Sequence, residues 1–269
     1  MRRFLAATFL LALSFLSFAQ ENDSVYMEPI GLNKAYLKHY WTDTKAVFSS
    51  PKNWEGKDWR KLSVLTAATV GLYFFVDQDL TDWSQEAKTE GSERVSKFFE
   101  VFGNGRYPVF TTAALYGLGA ITKKEKPKRV SLLILESYLI TGITAQVVKF
   151  VTSRERPWSN EPYNVWGGPT FTDPGASFFS GHSSTVWATA VVFAMEYESH
   201  KWVAPVAYSI ATLSSLSRIH DNAHWATDVL VGSAAGYFMT RTIVKQYRKQ
   251  KRLSLRPRGI SQLAFQYKL

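Results

Sequence analysis

Six apolar segments separated by charged or irregular stretches constrain the fold of this chain most strongly. Most are 14 to 20 residues long, with alanine, glycine, serine and threonine scattered among larger apolar side chains. None shows the two-residue alternation of a half-buried strand, and no hairpin signal competes with this pattern. The sequence therefore predicts an all-α protein of about six helices, formed by Leu62–Val76, Tyr107–Thr122, Val130–Val151, Ser183–Glu196, Trp202–Leu216 and Ala226–Val244.

The lengths and flanking charges of these segments favour a membrane-embedded helical bundle. A membrane span needs ~20 predominantly apolar residues, and Val130–Val151 and Ala226–Val244 meet this requirement. Basic blocks lie at Lys123–Arg129 and in the tail from residue 241 to 258. Basic loops tend to remain cytoplasmic, so the opposite helix ends should face the periplasm of a bacterium-like cell. A soluble periplasmic bundle remains the alternative.

The chain divides into four predicted regions. Residues 1–19 read as a signal peptide or an N-terminal anchor, with a basic start, a short apolar run and small residues before Gln20. Residues 20–60 should be an irregular exported arm, residues 61–245 the helical domain, and residues 246–269 a basic C-terminal tail. An exported arm and an outward-facing segment at 80–106 cannot be joined by one complete span. Leu62–Val76 should then be interfacial or re-entrant.

Composition limits the possible partners. The chain has no cysteine, which excludes disulfides and thiolate metal sites. Its net charge of +10 favours anionic partners such as acidic lipids, phosphorylated substrates or nucleic acid. The lysine and arginine excess lies in loops rather than on a face interleaved with aromatic residues, so nucleic-acid binding is poorly supported. We expect no nucleic-acid partner, and a phosphorylated lipid and the membrane as the main partners.

Three polar motifs fall on the same predicted side of the bundle. They are Lys149 with Arg156-Pro157, then Ser180-Gly181-His182, and finally Ser217-Arg218 with His224 and Asp228. In type, order and spacing they resemble the signature motifs of the type 2 phosphatidic acid phosphatase superfamily. That superfamily includes lipid phosphate phosphatases, class A acid phosphatases and vanadium-dependent haloperoxidases. The resemblance covers roughly residues 60 to 245 and departs at Phe179, where the family usually has proline; packing would then have to hold this turn.

The residues of the third motif suit a histidine–carboxylate pair. His224 and Asp228 are four apart, so on one helix they would share a face. A carboxylate there can fix the imidazole tautomer and stabilise the imidazolium, as in serine-protease triads. Asp221 or Asn222 is a plausible N-cap, which would place His224 in the first helical turn, where a phosphate is favoured.

The other two motifs supply phosphate-binding groups. Ser180 is an N-cap candidate with His182 just inside its helix, and Gly181 would let the backbone approach a ligand closely. Three cations can neutralise a phosphoryl group, and arginine binds phosphate oxygens in pairs. These three are Lys149, Arg156 and Arg218.

The family resemblance assigns chemical roles to the histidines. It implies that His224 attacks phosphorus to form a phosphohistidine, and that His182 protonates the leaving oxygen and later activates water. No metal or other cofactor is implied. Arg154 and His220 match no motif and are expected to act only as neighbours of the site, with Asp221 as a capping residue.

Several alternative functions follow from the same residues. His182, His220 and His224 could form a three-histidine zinc site, although the nearby cations would repel a metal. The leading function is a phosphatase acting on a lipid such as phosphatidate, a prenyl diphosphate, phosphatidylglycerol phosphate or lipid A. The aromatic loop Trp158–Phe179 would hold the lipid near its headgroup. Rivals are a soluble periplasmic acid phosphatase, a vanadate-dependent haloperoxidase and a membrane scaffold with a degenerate site.

Overall fold

The computed structural model describes residues 34–170 and 176–254, and these residues form nine α-helices and no strand. This confirms the all-α prediction. The six predicted helices are α2 and α5 to α9, whereas α1, α3 and α4 were not predicted. The helices are α1 Lys34–Ser49, α2 Gly56–Phe75, α3 Asp77–Glu86, α4 Glu90–Gly103, α5 Arg106–Thr122, α6 Glu125–Thr152, α7 Gly181–Glu196, α8 Val203–His220 and α9 Ala226–Ser254.

Local capping explains where several helices begin. At α4, Thr89 and Ser92 form a capping box in which each side chain accepts from the other residue's backbone N–H. At α7, Ser180 Oγ accepts from the Ser183 N–H at 3.3 Å. The predicted N-cap at Ser180 is therefore confirmed, with His182 in the first turn of α7.

Helix α7 is the centre of the bundle and packs against α6, α8 and α9. Two glycines of α9 allow the closest of these approaches. A Cβ at Gly232 would lie 2.5 Å from the Ser180 carbonyl oxygen, and one at Gly236 would collide with the Ser184 backbone. Because α7 begins at the second motif and α9 within the third, these glycines draw the two motifs together.

The predicted irregular arm at residues 20–60 is wrong for Lys34–Ser49, which forms α1. Helix α1 lies at the end of the bundle opposite the motifs. Tyr36 Oη donates to the Leu132 carbonyl near the start of α6, and Asp43 accepts from Gln250 near the end of α9. Both contacts are at the end that carries the basic blocks, where Val47 of α1 belongs to one buried apolar cluster with Val130 of α6 and Val244 of α9.

Helix α2, which contains the predicted segment Leu62–Val76 except for Val76, runs from the basic end of the bundle to the motif side. Its 20 residues span ~30 Å at 1.5 Å per residue. Near the start of α2, the charge of Lys61 lies close enough to Lys245 of α9 to add to the lowering of the pKa of Lys245 by burial. It ends at the motif side, where Tyr73 Oη accepts from Trp166 Nε1 at 3.1 Å.

Two sequence predictions concern residues outside the described range. The signal peptide or anchor at 1–19 lies there entirely, as does most of the tail at 246–269. Helix α9 continues into the predicted tail as far as Ser254. Among the described helices, α6 alone is both long and apolar enough to cross a membrane by itself, and just over half of its most apolar window, 56%, is buried against the rest of the protein.

Candidate active site

His224 lies in a tight loop between α8 and α9, not in the first helical turn as predicted. Helix α9 begins only at Ala226, and Asp221 follows the last residue of α8 rather than capping α9. The loop is fixed by the Arg218 carbonyl, which accepts from the N–H of Ala223 at 3.0 Å and of His224 at 3.2 Å. The N-cap prediction failed because these backbone bonds extend α8 into a closing turn.

The loop nevertheless brings His224 and Asp228 together. His224 Nδ1 lies 3.5 Å from Asp228 Oδ2, and both side chains are buried. The same Oδ2 accepts from the Trp225 N–H at 2.9 Å. Asp228 is the third residue of α9, so this bond is the carboxylate half of a capping box. One carboxylate thus begins the helix and orients the imidazole.

Burial lowers the pKa of His224 to about 3, and the nearby charges of Lys149 and Arg156 act in the same direction. Asp228 opposes this shift without cancelling it. The imidazole is therefore neutral at physiological pH. With Nδ1 beside a carboxylate, the proton belongs on Nδ1 and the lone pair on Nε2, the form that a nucleophilic imidazole requires.

Arg154 binds the Asp228 carboxylate through Oδ1, the oxygen that does not face His224. Its Nη1 donates to Asp228 Oδ1 and its Nη2 to Asp77 Oδ2, each at 2.7 Å, and all three side chains are fully buried. The guanidinium also lies 4.9 Å from the centre of the Trp166 ring. Arg154 was expected only near the site. The structure shows that it joins the first and third motifs.

Asp77 completes this buried network. Its Oδ1 accepts from the Thr227 N–H at 2.9 Å and its Oδ2 from the Thr227 hydroxyl at 2.6 Å. Asp77 is the first residue of α3 and had no predicted role. The two carboxylates balance the buried charge of the guanidinium, and the Tyr163 carbonyl and the Thr227 hydroxyl accept its other hydrogen bonds.

Lys149 and Arg156 converge on the Ala176 carbonyl. Lys149 Nζ donates to this oxygen at 2.6 Å and Arg156 Nη2 at 3.4 Å, while Arg156 Nη1 donates to the Ala223 carbonyl at 3.1 Å. Arg156 is therefore anchored beside the residue that precedes His224, and it shares the Ala176 carbonyl with Lys149. The second motif joins the same cluster through the Ser180 N–H, which donates to the Asp228 carbonyl at 3.0 Å.

Arg218 is buried and forms an ion pair with Asp221. Asp221 in turn accepts from the Ser96 hydroxyl at 2.6 Å. His220 does not point into the cluster, since its Nε2 lies 2.8 Å from the Ser92 hydroxyl. Asp221 therefore orients an arginine of the site, a role that the sequence analysis did not assign.

His182 faces Glu100 of α4, a residue that the sequence analysis missed. His182 Nε2 lies 3.4 Å from Glu100 Oε1, and Arg218 Nη1 lies 3.7 Å from the same oxygen. The contact with His182 lowers the pKa of Glu100, and the charge of Arg218 adds to this effect, so the group is a carboxylate. Nothing in the mixed sequence of α4 indicated it.

The three-histidine zinc site finds no support in the geometry. Among the side chains of residues 34–170 and 176–254, no group of three or more histidine, aspartate or glutamate residues could hold a metal ion. His220 is separated from the other two histidines by its contacts with Ser92 and Asp221. The cluster instead combines two histidine–carboxylate pairs with three anchored cations, the constitution of a phosphoryl-binding site.

Comparison with known proteins supports the resemblance carried by the motifs. Residues 131–252, which include all three motifs, match the family model of the PAP2 superfamily. This part of the chain is thus similar to the PAP2 superfamily, as the motifs predicted. The solved fold of a transmembrane PAP2-type phosphatidylglycerolphosphate phosphatase from Bacillus subtilis is similar, with a TM-score of 0.52 and 18% identity. The match covers 71% of this chain and 97% of that one.

Two curated relatives share shorter stretches of sequence. A lipid A 1-phosphatase of Porphyromonas gingivalis is 44% identical over 61 residues, which are 22% of this chain and 14% of that protein. An undecaprenyl-diphosphatase of Sulfolobus acidocaldarius is 27% identical over 118 residues, 43% of this chain and 54% of that protein. The matched stretches thus span from one seventh to about half of the relatives' length.

Proposed function

We propose that this protein is a metal-independent phosphatase that removes phosphate from a lipid through a phosphohistidine at His224. The observation that supports this most directly is a buried, neutral imidazole backed by Asp228 and flanked by anchored cations. A structural core does not require an imidazole with a free lone pair, whereas attack on phosphorus does. The named relatives act on lipid A, undecaprenyl diphosphate and phosphatidylglycerol phosphate, which share a phosphate on a lipid.

In the first step, His224 Nε2 attacks phosphorus and the bond to the leaving oxygen breaks. The imidazole becomes positively charged, and Asp228 stabilises it through the Nδ1 proton. His182, at the start of α7, gives its proton to the leaving oxygen. Lys149, Arg156 and Arg218 neutralise the phosphoryl oxygens, while Ser180 and Gly181 place the N-terminus of α7 towards them.

In the second step, water attacks the phosphohistidine. His182 now takes a proton from the water, and the bond from phosphorus to Nε2 breaks as phosphate forms. The lone pair returns to His224, so the protein is restored without a cofactor. His182 thus acts as the acid in the first step and as the base in the second.

The outer surface of the helices supports a membrane location. Large apolar side chains face outward along α2, α5, α6, α8 and α9, and Ile121 and Phe75 are 83% and 79% exposed. A soluble protein rarely exposes apolar surface this continuously. We infer an inner-membrane protein with its site on the periplasmic face. A soluble periplasmic phosphatase acting on small phosphate esters is the alternative, and this outer surface disfavours it.

Hydrolysis by the purified protein tests the proposed activity. The protein in detergent, with EDTA present, should release phosphate from phosphatidate, lipid A, a prenyl diphosphate or phosphatidylglycerol phosphate, and vanadate should inhibit. His224→Gln is the inactive control, and His200→Gln, at the far end of α7, is the matched variant that should retain activity. Loss of wild-type activity in EDTA with recovery on added zinc would contradict the proposal.

Side-specific labelling tests the proposed orientation. The chain has no cysteine, so single cysteines at Glu161 and Lys201 provide unambiguous probes. Both positions are exposed, and α7 lies between the segments that carry them. An impermeant thiol reagent should label the Glu161→Cys variant in intact spheroplasts, and the Lys201→Cys variant only after lysis. Equal labelling of both before lysis would contradict a membrane-spanning bundle.

A further inference from the structure

Glu100 occupies a central position in the site although no motif contains it. Its Oε1 is within 3.4 Å of His182 Nε2 and 3.7 Å of Arg218 Nη1. In the proposed reaction, His182 protonates the leaving oxygen and Arg218 binds a phosphoryl oxygen. A point within reach of both groups lies beside the bond that breaks. The Glu100 carboxylate therefore borders the leaving group.

The packing of α4 against the site fixes the position of Glu100. Gly103, three residues beyond Glu100, lies so close to α7 that a Cβ there would be 3.1 Å from His182 Cβ and 3.0 Å from the His182 carbonyl oxygen. Ser96, four residues before Glu100, donates to Asp221 at 2.6 Å. One turn of α4 on each side of Glu100 is thus anchored to the site.

We propose that Glu100 selects lipid phosphate monoesters over lipid diphosphates, an inference that rests on the proposed function of the same site. The leaving group of a monoester is an alcohol, which can donate a hydrogen bond to the carboxylate once His182 has protonated it. The leaving group of a diphosphate is itself a phosphate and brings negative charge to the same place. Like charges in a partly desolvated site repel strongly.

A second effect of Glu100 also favours monoesters over diphosphates. A carboxylate beside His182 stabilises the imidazolium, the form that donates a proton. Alkoxides are poor leaving groups and depend on that proton, whereas a phosphate leaving group departs without much assistance. Loss of the negative charge at residue 100 should therefore slow monoester cleavage and ease diphosphate cleavage.

The test compares decyl phosphate with decyl diphosphate, which share one saturated chain, in the purified full-length protein. Wild type should prefer the monoester in kcat/KM. Glu100→Gln should shift the ratio of the two kcat/KM values towards the diphosphate by about tenfold or more, the effect of a like charge ~6 Å away at intermediate dielectric. Glu93→Gln, a half-exposed position on the same helix, removes the same charge and should leave the ratio unchanged.

A binding measurement separates this inference from the proposed activity. Calorimetry with inorganic phosphate and pyrophosphate should show that Glu100→Gln strengthens pyrophosphate binding more than phosphate binding. A folding defect would weaken the binding of both anions and lower the hydrolysis rates of both substrates, without changing the ratio of the two affinities or of the two kcat/KM values. Hydrolysis by wild type with unchanged ratios in Glu100→Gln would overturn the role of Glu100 alone. Absence of both hydrolysis and anion binding in wild type would overturn the proposed function and this inference together.

Discussion

The two histidines of the site each face a carboxylate, yet their surroundings differ. His224 and Asp228 are buried, and Asp228 is held by Arg154 and by the Trp225 N–H. The side chains of His182 and Glu100 are 32% and 30% exposed. A nucleophile needs one fixed tautomer with a free lone pair, whereas a proton donor must exchange protons with water. The difference in burial thus matches the difference in proposed role.

The largest effect should follow from replacing the buried histidine. His224→Gln removes the atom that forms the covalent intermediate, so turnover should fall by at least about 10⁴-fold, as when other covalent nucleophiles are removed. Rapid quench with ³²P-labelled p-nitrophenyl phosphate should trap an acid-labile, base-stable adduct in wild type and in His182→Gln, but none in His224→Gln. An adduct in His224→Gln and none in His182→Gln would reverse the two roles.

Replacing the exposed histidine should give an effect that depends on the leaving group. His182→Gln should slow hydrolysis of an alkyl phosphate by about 10²–10⁴-fold, the usual contribution of a general acid or base. With p-nitrophenyl phosphate the first step should be nearly normal, because p-nitrophenolate leaves without a proton. Burst kinetics measure that step separately from hydrolysis of the adduct. An equal loss of the first-step rate for both substrates would contradict an acid role.

Arg218 contacts both histidine–carboxylate pairs of the site. Its carbonyl fixes the His224 loop and its guanidinium approaches Glu100. Arg218→Ala should lower kcat by about 10²–10³-fold, the size found on removing one transition-state donor. Arg94→Ala, an exposed arginine on α4, is the matched control and should have no effect. If Arg218→Ala raised KM with kcat unchanged, the arginine would bind substrate and transition state equally.

Sequence patterns predicted the His224 side of the site better than the His182 side. The pairing of His224 with Asp228 follows from a spacing of four residues, and it survives although His224 precedes the helix. Glu100 is 82 residues from His182, on a helix that the sequence analysis did not predict although its apolar residues recur at helical spacing. Its role depends on tertiary packing, which a local pattern does not encode.

The basic end of the bundle is a second region where tertiary contacts, which local sequence patterns do not encode, decide the structure. The block Lys123–Arg129 reads as free positive charge, but Arg129 pairs with Glu196 at 2.7 Å and Lys128 with Glu125 at 3.0 Å. The exported arm was inferred from an apparent signal peptide, whereas α1 packs at this basic end. Contacts between distant segments decide both the pairing of these charges and the position of α1, and a local pattern encodes neither.

The smallest expected effect concerns stability and depends on the burial of His224. Its pKa is about 3 in the folded protein and ~6.5 in an unfolded chain. Between these values the unfolded chain binds more protons at this residue, so the free energy of unfolding decreases as pH falls from ~6.5 towards ~3. Above ~6.5 both states carry a neutral imidazole and the effect vanishes.

Thermal unfolding in detergent between pH 5 and pH 7.5 measures this dependence. Wild type should lose stability towards pH 5 more steeply than His224→Gln, which has no proton to bind at this position. Parallel pH profiles of wild type and His224→Gln would contradict the burial of a neutral imidazole at this position.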